Sequence, residues 1–224
     1  MNQNLLRIGM WLMLFTGACT GMHENYEPYI TEGETIYTPR PLDVHVNPGR
    51  ERVAIEWKMT GTGNVDNAVV LCGEKVIMAT IEGLEDTLKT LVIPELEEGS
   101  YFFKVRTGNN QGDSSLWSDE ITGTVYGSKY EAGLRNRKVL NMETTSEAVI
   151  IHWLSPAKSL LECILTFEDA EGNFHELVVP ASQSQTSIDS YKTGGTVRYH
   201  SLYLPEPSAI DTFASTVGTF TFPE

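Results

Sequence analysis

The sequence predicts an all-β chain in which two tandem β-sandwiches follow an N-terminal signal and a short tether. The apolar pattern Val-x-Ile-x-Trp occupies Val53–Trp57 and recurs at Val149–Trp153. Alternation with a period of two places the valine, isoleucine and tryptophan of each copy on one face of a sheet. Clusters of glycine and asparagine separate the apolar runs, and no segment has sustained helical periodicity, so many short strands are expected.

The first residues have the layout of a secretory signal. The apolar run Ile8–Phe15 is followed by the small residues Thr16–Ala18 and then by Cys19. This run is too short to span a bilayer, which takes about 20 apolar residues. We predict a signal peptide over residues 1–18 and a lipid on the Cys19 thiol. The alternative is an ordinary cleaved signal, with Cys19 as the first residue of a soluble protein.

Residues 19–40 are predicted to be a tether, because prolines within and beside them discourage the centre of a sheet. The two predicted sandwiches cover residues 41–126 and 127–224. Each copy contains apolar strands followed by a long aromatic strand. The runs are Leu42–Val46, Val53–Trp57, Leu91–Ile93 and Tyr101–Val105 in the first copy, and Val149–Trp153, Ser187–Ile188 and Val197–Tyr199 in the second. The link Tyr126–Tyr130 is short, so the modules are expected to touch.

Composition restricts the partners. The 224 residues carry a formal net charge of −14, and such an acidic surface repels phosphate backbones, so no nucleic acid is predicted to bind. Cys72 and Cys163 match no metal spacing. They are predicted to be small buried hydrophobic residues, with a disulfide between the modules as the alternative.

The stretch Ile93–Tyr101, followed by Asn110–Ser118, resembles the later strands of a fibronectin type III domain. In such domains a tyrosine hydroxyl bonds to the backbone a few residues upstream, an arrangement called the tyrosine corner. The gap between Leu96 and Tyr101 is one residue shorter here than usual. The resemblance implies that both modules are fibronectin type III or immunoglobulin-like sandwiches.

Further motifs are spread over the chain after Cys19. They are Tyr26-x-x-Tyr29-Ile30-x-x-Gly33-Glu34-x-x-Tyr37, Thr124–Gly127, Asn136-Arg137 and Leu204–Phe213. Together they resemble an uncharacterised family of Bacteroidota surface lipoproteins built of tandem fibronectin type III-like modules. The resemblance implies an outer-membrane protein that is lipid-anchored and exposed at the cell surface. It also implies similarity to components of glycan-acquisition systems.

The sequence offers no pattern for catalysis. The histidines have no zinc spacing and His175 is isolated, no Gly-x-Ser-x-Gly elbow occurs, and most acidic residues lie in turns or alternate outward. We therefore predict no enzyme activity, no metal and no cofactor. The segment Asp169–Asn173 has oxygen ligands that suit calcium. A hairpin turn in which Gly172 and Asn173 tolerate a positive φ explains the same residues without a metal.

Four aromatic residues are candidates for ligand binding. Trp117 lies in the segment Ser115-Leu116-Trp117-Ser118 and is either a sugar-stacking platform or, as in some fibronectin-like receptors, packed near Arg106. Tyr199 and Tyr203 share one face of a strand, and Tyr191 precedes them. These tyrosines form either an outward aromatic strip suited to a polysaccharide or part of the core, and the aligned residues of the first copy favour the core.

The loop Leu204–Phe213 stands where a plain hairpin would be expected. Two prolines fix its path, Asp211 is predicted to cap the turn, and Ile210 and Phe213 are predicted to pin the loop to the sandwich. The predicted function is that of a non-catalytic surface lipoprotein that binds or presents ligands within a glycan-acquisition assembly. Its partner is a polysaccharide or a surface protein. The alternative is a structural spacer or an assembly subunit that binds a protein partner.

Overall fold

Two β-sandwiches follow one another along the chain in the computed structural model, which describes residues 37–60, 64–81 and 88–224. The predicted signal peptide, Cys19 and the tether up to residue 36 lie outside the described residues. Among the helices within those ranges, none is long and apolar enough to cross a membrane.

The first sandwich packs a three-stranded sheet against a four-stranded sheet. Its strands are β1 (Leu42–Pro48), β2 (Val53–Lys58), β3 (Asn67–Cys72), β4 (Lys75–Thr80), β5 (Leu88–Ile93), β6 (Gly99–Gly108) and β7 (Ile121–Val125). Antiparallel pairing gives the orders β1-β2-β5 and β4-β3-β6-β7. Period-two alternation explains this arrangement, because each strand turns its apolar face towards the opposite sheet.

The core of the first sandwich lies where the alternation predicts it. Trp57 and Phe103 are almost fully buried between the two sheets, together with Val53 and Ile55 of β2. The Tyr101 hydroxyl donates a hydrogen bond to the Glu97 carbonyl oxygen at 3.0 Å. The tyrosine corner therefore forms in spite of the shortened gap.

The second sandwich repeats the order of the first. It contains β8 (Val139–Thr144), β9 (Val149–Trp153), β10 (Leu160–Glu168), β11 (Phe174–Pro180), β12 (Gln185–Ile188), β13 (Thr196–Tyr203), β14 (Phe213–Ala214) and β15 (Gly218–Thr221). One sheet has the order β8-β9-β12. In the other, β11-β10-β13 is completed by β14 and β15, which both pair with β13. Both modules thus have the predicted fibronectin type III-like architecture.

Each module has its own core, and each core contains one of the two cysteines. Cys72 belongs to the core around Trp57, and Cys163 belongs to the core around Trp153. Both thiols are buried and free, and burial raises the pKa of each. The prediction of two small buried hydrophobic residues is therefore confirmed, and the alternative disulfide does not form.

A short helix, α1 (Ser128–Gly133), begins within the link between the sandwiches. This helix was not predicted, because six residues give too little periodicity to recognise. After the helix, the buried Arg137 side chain donates hydrogen bonds to the carbonyl oxygens of Leu154 and Gln183. The Asn136 side chain bonds to Ser215 and Thr216, which lie between β14 and β15. These contacts fasten the entry of the second sandwich to its own sheets.

Candidate functional site

The loop that precedes β14 reaches across to the first sandwich. The Ile210 amide donates to the Pro48 carbonyl oxygen at 2.8 Å. The Asp211 carboxylate accepts the Arg50 amide at 2.8 Å and the Arg52 side chain at 2.9 and 2.6 Å. Asp211 was predicted to cap a turn within its own loop. That prediction is wrong, because the carboxylate instead binds the turn between β1 and β2.

A second ion pair lies beside the first. The Arg50 guanidinium donates two hydrogen bonds of 2.8 Å to Glu131 of α1, and paired donors of this kind match a carboxylate closely. These bonds hold the pKa of Glu131 below its usual range, and the bonds from Arg52 do the same for the pKa of Asp211. We call the set Arg50, Arg52, Glu131 and Asp211 the module clamp.

Aromatic side chains fill the space behind the module clamp. The Arg50 guanidinium lies 4.5 Å from the centre of the fully buried Phe213 ring. The Tyr130 ring packs against both Phe213, at 5.1 Å, and Tyr126, at 4.7 Å. The Tyr126 hydroxyl donates to Glu206 at 2.9 Å, and burial together with this carboxylate raises the pKa of Tyr126 to about 12. The interface therefore has an apolar centre as well as ion pairs.

The link between the sandwiches is also held by backbone bonds. The Tyr126 amide donates to the Gly49 carbonyl oxygen at 3.1 Å, and the Glu51 amide donates to the Tyr126 carbonyl oxygen at 2.8 Å. The Glu98 carboxylate accepts the amides of Lys129 and Tyr130 at the start of α1. The prediction that the modules touch is confirmed.

Trp117 is half-buried and stacked. The Arg106 guanidinium lies 4.6 Å from the centre of its indole, which confirms the predicted packing between these residues. On either side of it, the Ser115 and Ser118 hydroxyls accept the β6 amides of Thr107 and Val105 at 3.0 Å. The segment thus takes the place of a regular strand beside β6, with one indole face covered by Arg106.

The three candidate tyrosines lie on the core of the second sandwich. Tyr203 is 6% exposed, and its hydroxyl donates to the Arg135 carbonyl oxygen. Tyr199 is half-buried against Trp153 and Phe220, and Tyr191 is half-buried with its ring 4.9 Å from Phe222. Burial raises the pKa of Tyr199 and of Tyr203. The geometry favours the core alternative, and these rings form no outward strip.

The Asp169–Asn173 segment forms the predicted hairpin turn between β10 and β11. Gly172 has a φ of 93°, and the Asp169 carboxylate accepts the Asn173 amide at 2.8 Å. His175 is not isolated as the sequence suggested, because its Nε2 lies 2.7 Å from Asp169. These bonds hold the pKa of Asp169 well below its usual range. Within the described residues, no group of acidic, histidine or cysteine side chains is arranged to hold a metal ion.

The outer face of the second sandwich carries a groove of about 590 Å³ that the sequence analysis did not identify. We call it the outer groove. The aromatic residue that lines it is Phe174, which is 78% exposed at the start of β11. Phe174 has the opposite parity to the inward residues Leu177 and Val179, and this alternation is the signal that could have found it. Polar side chains that also line the groove are Thr166, Glu168, Lys192, Thr196 and Arg198.

Comparisons with known proteins give a family but no activity. A family model described as a domain of unknown function, DUF4998, matches residues 19–213. No curated protein gives a significant match. Among solved structures, the chain is similar to a crystal structure of chicken CNTN1 FN1–FN3 domains, with 16% identity, a TM-score of 0.45, and coverage of 83% of this chain and 65% of that chain. The chain thus spans just under two thirds of that structure. It is also similar to a two-domain fibronectin type III segment of chicken tenascin, with 12% identity, a TM-score of 0.32, and coverage of 83% and 99%.

Proposed function

The chain belongs to the DUF4998 family, and on that premise we propose that it is a non-catalytic, lipid-anchored protein of the outer cell surface. In this proposal its two sandwiches act as one rigid unit that presents a binding surface within a glycan-acquisition assembly. The fibronectin type III-like fold supports a binding or structural role, since proteins with such sandwiches are common among cell-surface domains.

The module clamp is the observation that carries this proposal. Modules joined by a flexible linker move independently by default, unless the interface between them is large and well packed. Here two ion pairs with paired hydrogen bonds join the modules, the Arg50 guanidinium packs on the buried Phe213 ring, and backbone bonds fix the link at Tyr126. A fixed angle between modules suits a protein that must hold a ligand surface in a defined orientation.

Residual dipolar couplings measured by NMR test the rigid unit. In the wild-type protein, one alignment tensor should fit the amides of both sandwiches. Replacing Asp211 and Glu131 together by alanine should give two different tensors, because both ion pairs of the clamp are lost. The matched control replaces Asp119 and Glu143, exposed carboxylates that each pair within one module, and should keep one tensor. Two tensors in the wild-type protein would contradict the proposal.

Lipid attachment is supported by the small residues that precede Cys19. Cys19→Ala should abolish incorporation of labelled palmitate and move the protein from the membrane fraction to the soluble fraction. Thr20→Ala, which changes the neighbouring residue, should stay in the membrane fraction. Membrane attachment of Cys19→Ala at the wild-type level would contradict the proposed anchor.

A second candidate function is an assembly subunit that pairs with a strand of another protein. The outer residues of the edge strand β4 favour it, because Val76 and Met78 are 66% and 70% exposed. An apolar edge strand without proline offers free backbone groups to a partner strand. Met78→Lys should then abolish a crosslinked partner band in cells, whereas Leu140→Lys, at an equally exposed site on the second sandwich, should keep it. Retention of the band in both variants would contradict this function.

A further inference from the structure

The outer groove continues along the sheet instead of closing around a small volume. It lies over β10 and β13, and its neighbour is a smaller cavity of about 120 Å³ lined by His200 and Val217. The two cavities share Thr166 and Arg198, which lie opposite each other in the β10–β13 register. Neighbouring cavities that share lining residues fit an extended chain better than a compact small molecule.

Phe174 gives the outer groove an exposed aromatic ring that does not belong to the core of the sandwich. Its backbone pairs with Glu168 at the first position of β11 after the hairpin turn. The next residue, His175, lies on the opposite face of the strand and stacks on Phe167 with ring centres 5.7 Å apart, while its side chain stays 47% exposed. The Phe174 ring remains 78% exposed on the outer face. An exposed aromatic face loses unfavourable contact with water when a ligand with an apolar face stacks on it.

The polar side chains around this ring include both donors and acceptors. Among the described residues, the Arg198 guanidinium has no side-chain partner. Lys192 pairs with Glu168 at 2.9 Å, and both groups keep capacity for further hydrogen bonds. The Thr166 and Thr196 hydroxyls can donate and accept. A sugar ring presents C–H groups on one face and hydroxyls at its rim, and the outer groove has a counterpart for each.

The charges of the groove and of the whole chain indicate whether a neutral or an anionic ligand fits better. Among the charged side chains that line the groove, Glu168 pairs with Lys192 and Arg198 makes no ion pair, while the acidic Glu224 lies beside the lining residue Gly194. The chain as a whole carries −14, so its field repels a polyanion. We propose that the outer groove binds a neutral polysaccharide chain, stacked on Phe174 and hydrogen-bonded by Arg198. This inference rests on the proposed function and assigns it a ligand class and a site.

Affinity electrophoresis of the whole protein in detergent tests the inference. The gels contain galactomannan, xyloglucan, arabinoxylan or amylopectin as neutral probes, and polygalacturonate or chondroitin sulfate as anionic probes. At least one neutral probe should retard the protein. Phe174→Ala should weaken the apparent affinity at least about tenfold, as expected for a central aromatic contact, and Arg198→Gln should weaken it too. Phe102→Ala, which removes a 59% exposed ring from the first sandwich, should bind normally.

The possible results distinguish a failure of the outer groove as the binding site from a failure of the proposed function. Thermal unfolding at the wild-type temperature would show that the Phe174 and Arg198 variants remain folded. Retardation by a neutral glycan that is unchanged in Phe174→Ala would overturn the groove and leave glycan binding elsewhere. Retardation by the anionic probes alone would overturn the neutral ligand class. Migration unaffected by every probe would overturn this inference, while the alignment tensors would still decide whether the modules form one rigid unit.

Discussion

Gly49 is the position at which a single methyl group should strain the contact between the two sandwiches. An ideal Cβ at this residue would lie 2.6 Å from Asp211 Oδ2 and 2.8 Å from Ile210 Cγ1. Both atoms belong to the loop of the second sandwich, whereas Gly49 belongs to the first. Gly49→Ala therefore introduces a clash that acts across the interface and leaves both cores intact.

The size of the effect follows from these distances. Optimal contact between non-bonded heavy atoms is about 3.5 to 4.0 Å, so the Asp211 and Ile210 side chains have to retreat by roughly 1 Å. That retreat stretches the 2.8 Å bond from the Arg50 amide to Asp211. Overpacking of this kind costs about 1 to 3 kcal/mol. We expect Gly49→Ala to lower the free energy of unfolding by that amount.

Urea unfolding followed by tryptophan fluorescence measures this cost, because Trp57 and Trp153 place one buried probe in each core. Gly133→Ala is the matched control. No atom lies within 4 Å of its added Cβ, and this glycine ends helix α1, where alanine is tolerated. The control should be as stable as the wild-type protein or slightly more stable.

A double-mutant cycle identifies the source of the cost. Asp211→Ala alone should cost about 1 to 3 kcal/mol, because it removes the acceptor of three hydrogen bonds. It also removes one of the two atoms that clash with the new methyl group. Gly49→Ala should therefore cost less in the Asp211→Ala background, as expected for residues in contact. Wild-type stability of Gly49→Ala, or strict additivity with Asp211→Ala, would refute the reasoning.

Three further predictions concern the cores and the clamp. Trp57→Ala and Trp153→Ala should each cost about 3 to 5 kcal/mol in chemical unfolding, because each indole fills one core; unchanged stability of either variant would contradict the two-core arrangement. Thr186→Val should cost about 1 to 3 kcal/mol, because it removes the acceptor that lies 2.9 Å from the buried Trp153 Nε1. Folding lowers the pKa values of Asp211 and Glu131. The two carboxylates therefore stabilise the folded protein fully above the unfolded carboxyl pKa of about 4, and this stabilisation is lost as the pH falls through their folded pKa values. A pH series of melting temperatures should therefore fall less steeply on the acid side when both carboxylates are replaced by alanine.

The cores were predictable from the sequence because their signals are local. Alternation within Val53–Trp57 and Val149–Trp153 is enough to place each tryptophan on an inward face. The turn at Gly172 was predictable for the same reason, since its φ of 93° follows from residues directly beside it.

The module clamp was not predictable in this way. Arg52 and Asp211 are 159 positions apart, and no local pattern shows that an exposed arginine will face one particular aspartate. Asp211 was predicted to cap a turn, and its pairing with Arg52 was not predicted. The outer groove was missed for a related reason. Phe174 and Arg198 lie on different strands, and only the pairing of β11, β10 and β13 brings their side chains to one face.

The path of the loop Leu204–Phe213 follows from the interface. A plain hairpin into β14 would need neither of its two prolines. Proline fixes φ, so the segment leaves the sheet along a defined route and delivers Ile210 and Asp211 to the first sandwich. This is one of the motifs that carry the resemblance to the surface lipoprotein family, and Tyr126, in another motif, bonds to Glu206 of the same loop. In this chain residues of both motifs therefore make the contacts that join the two modules.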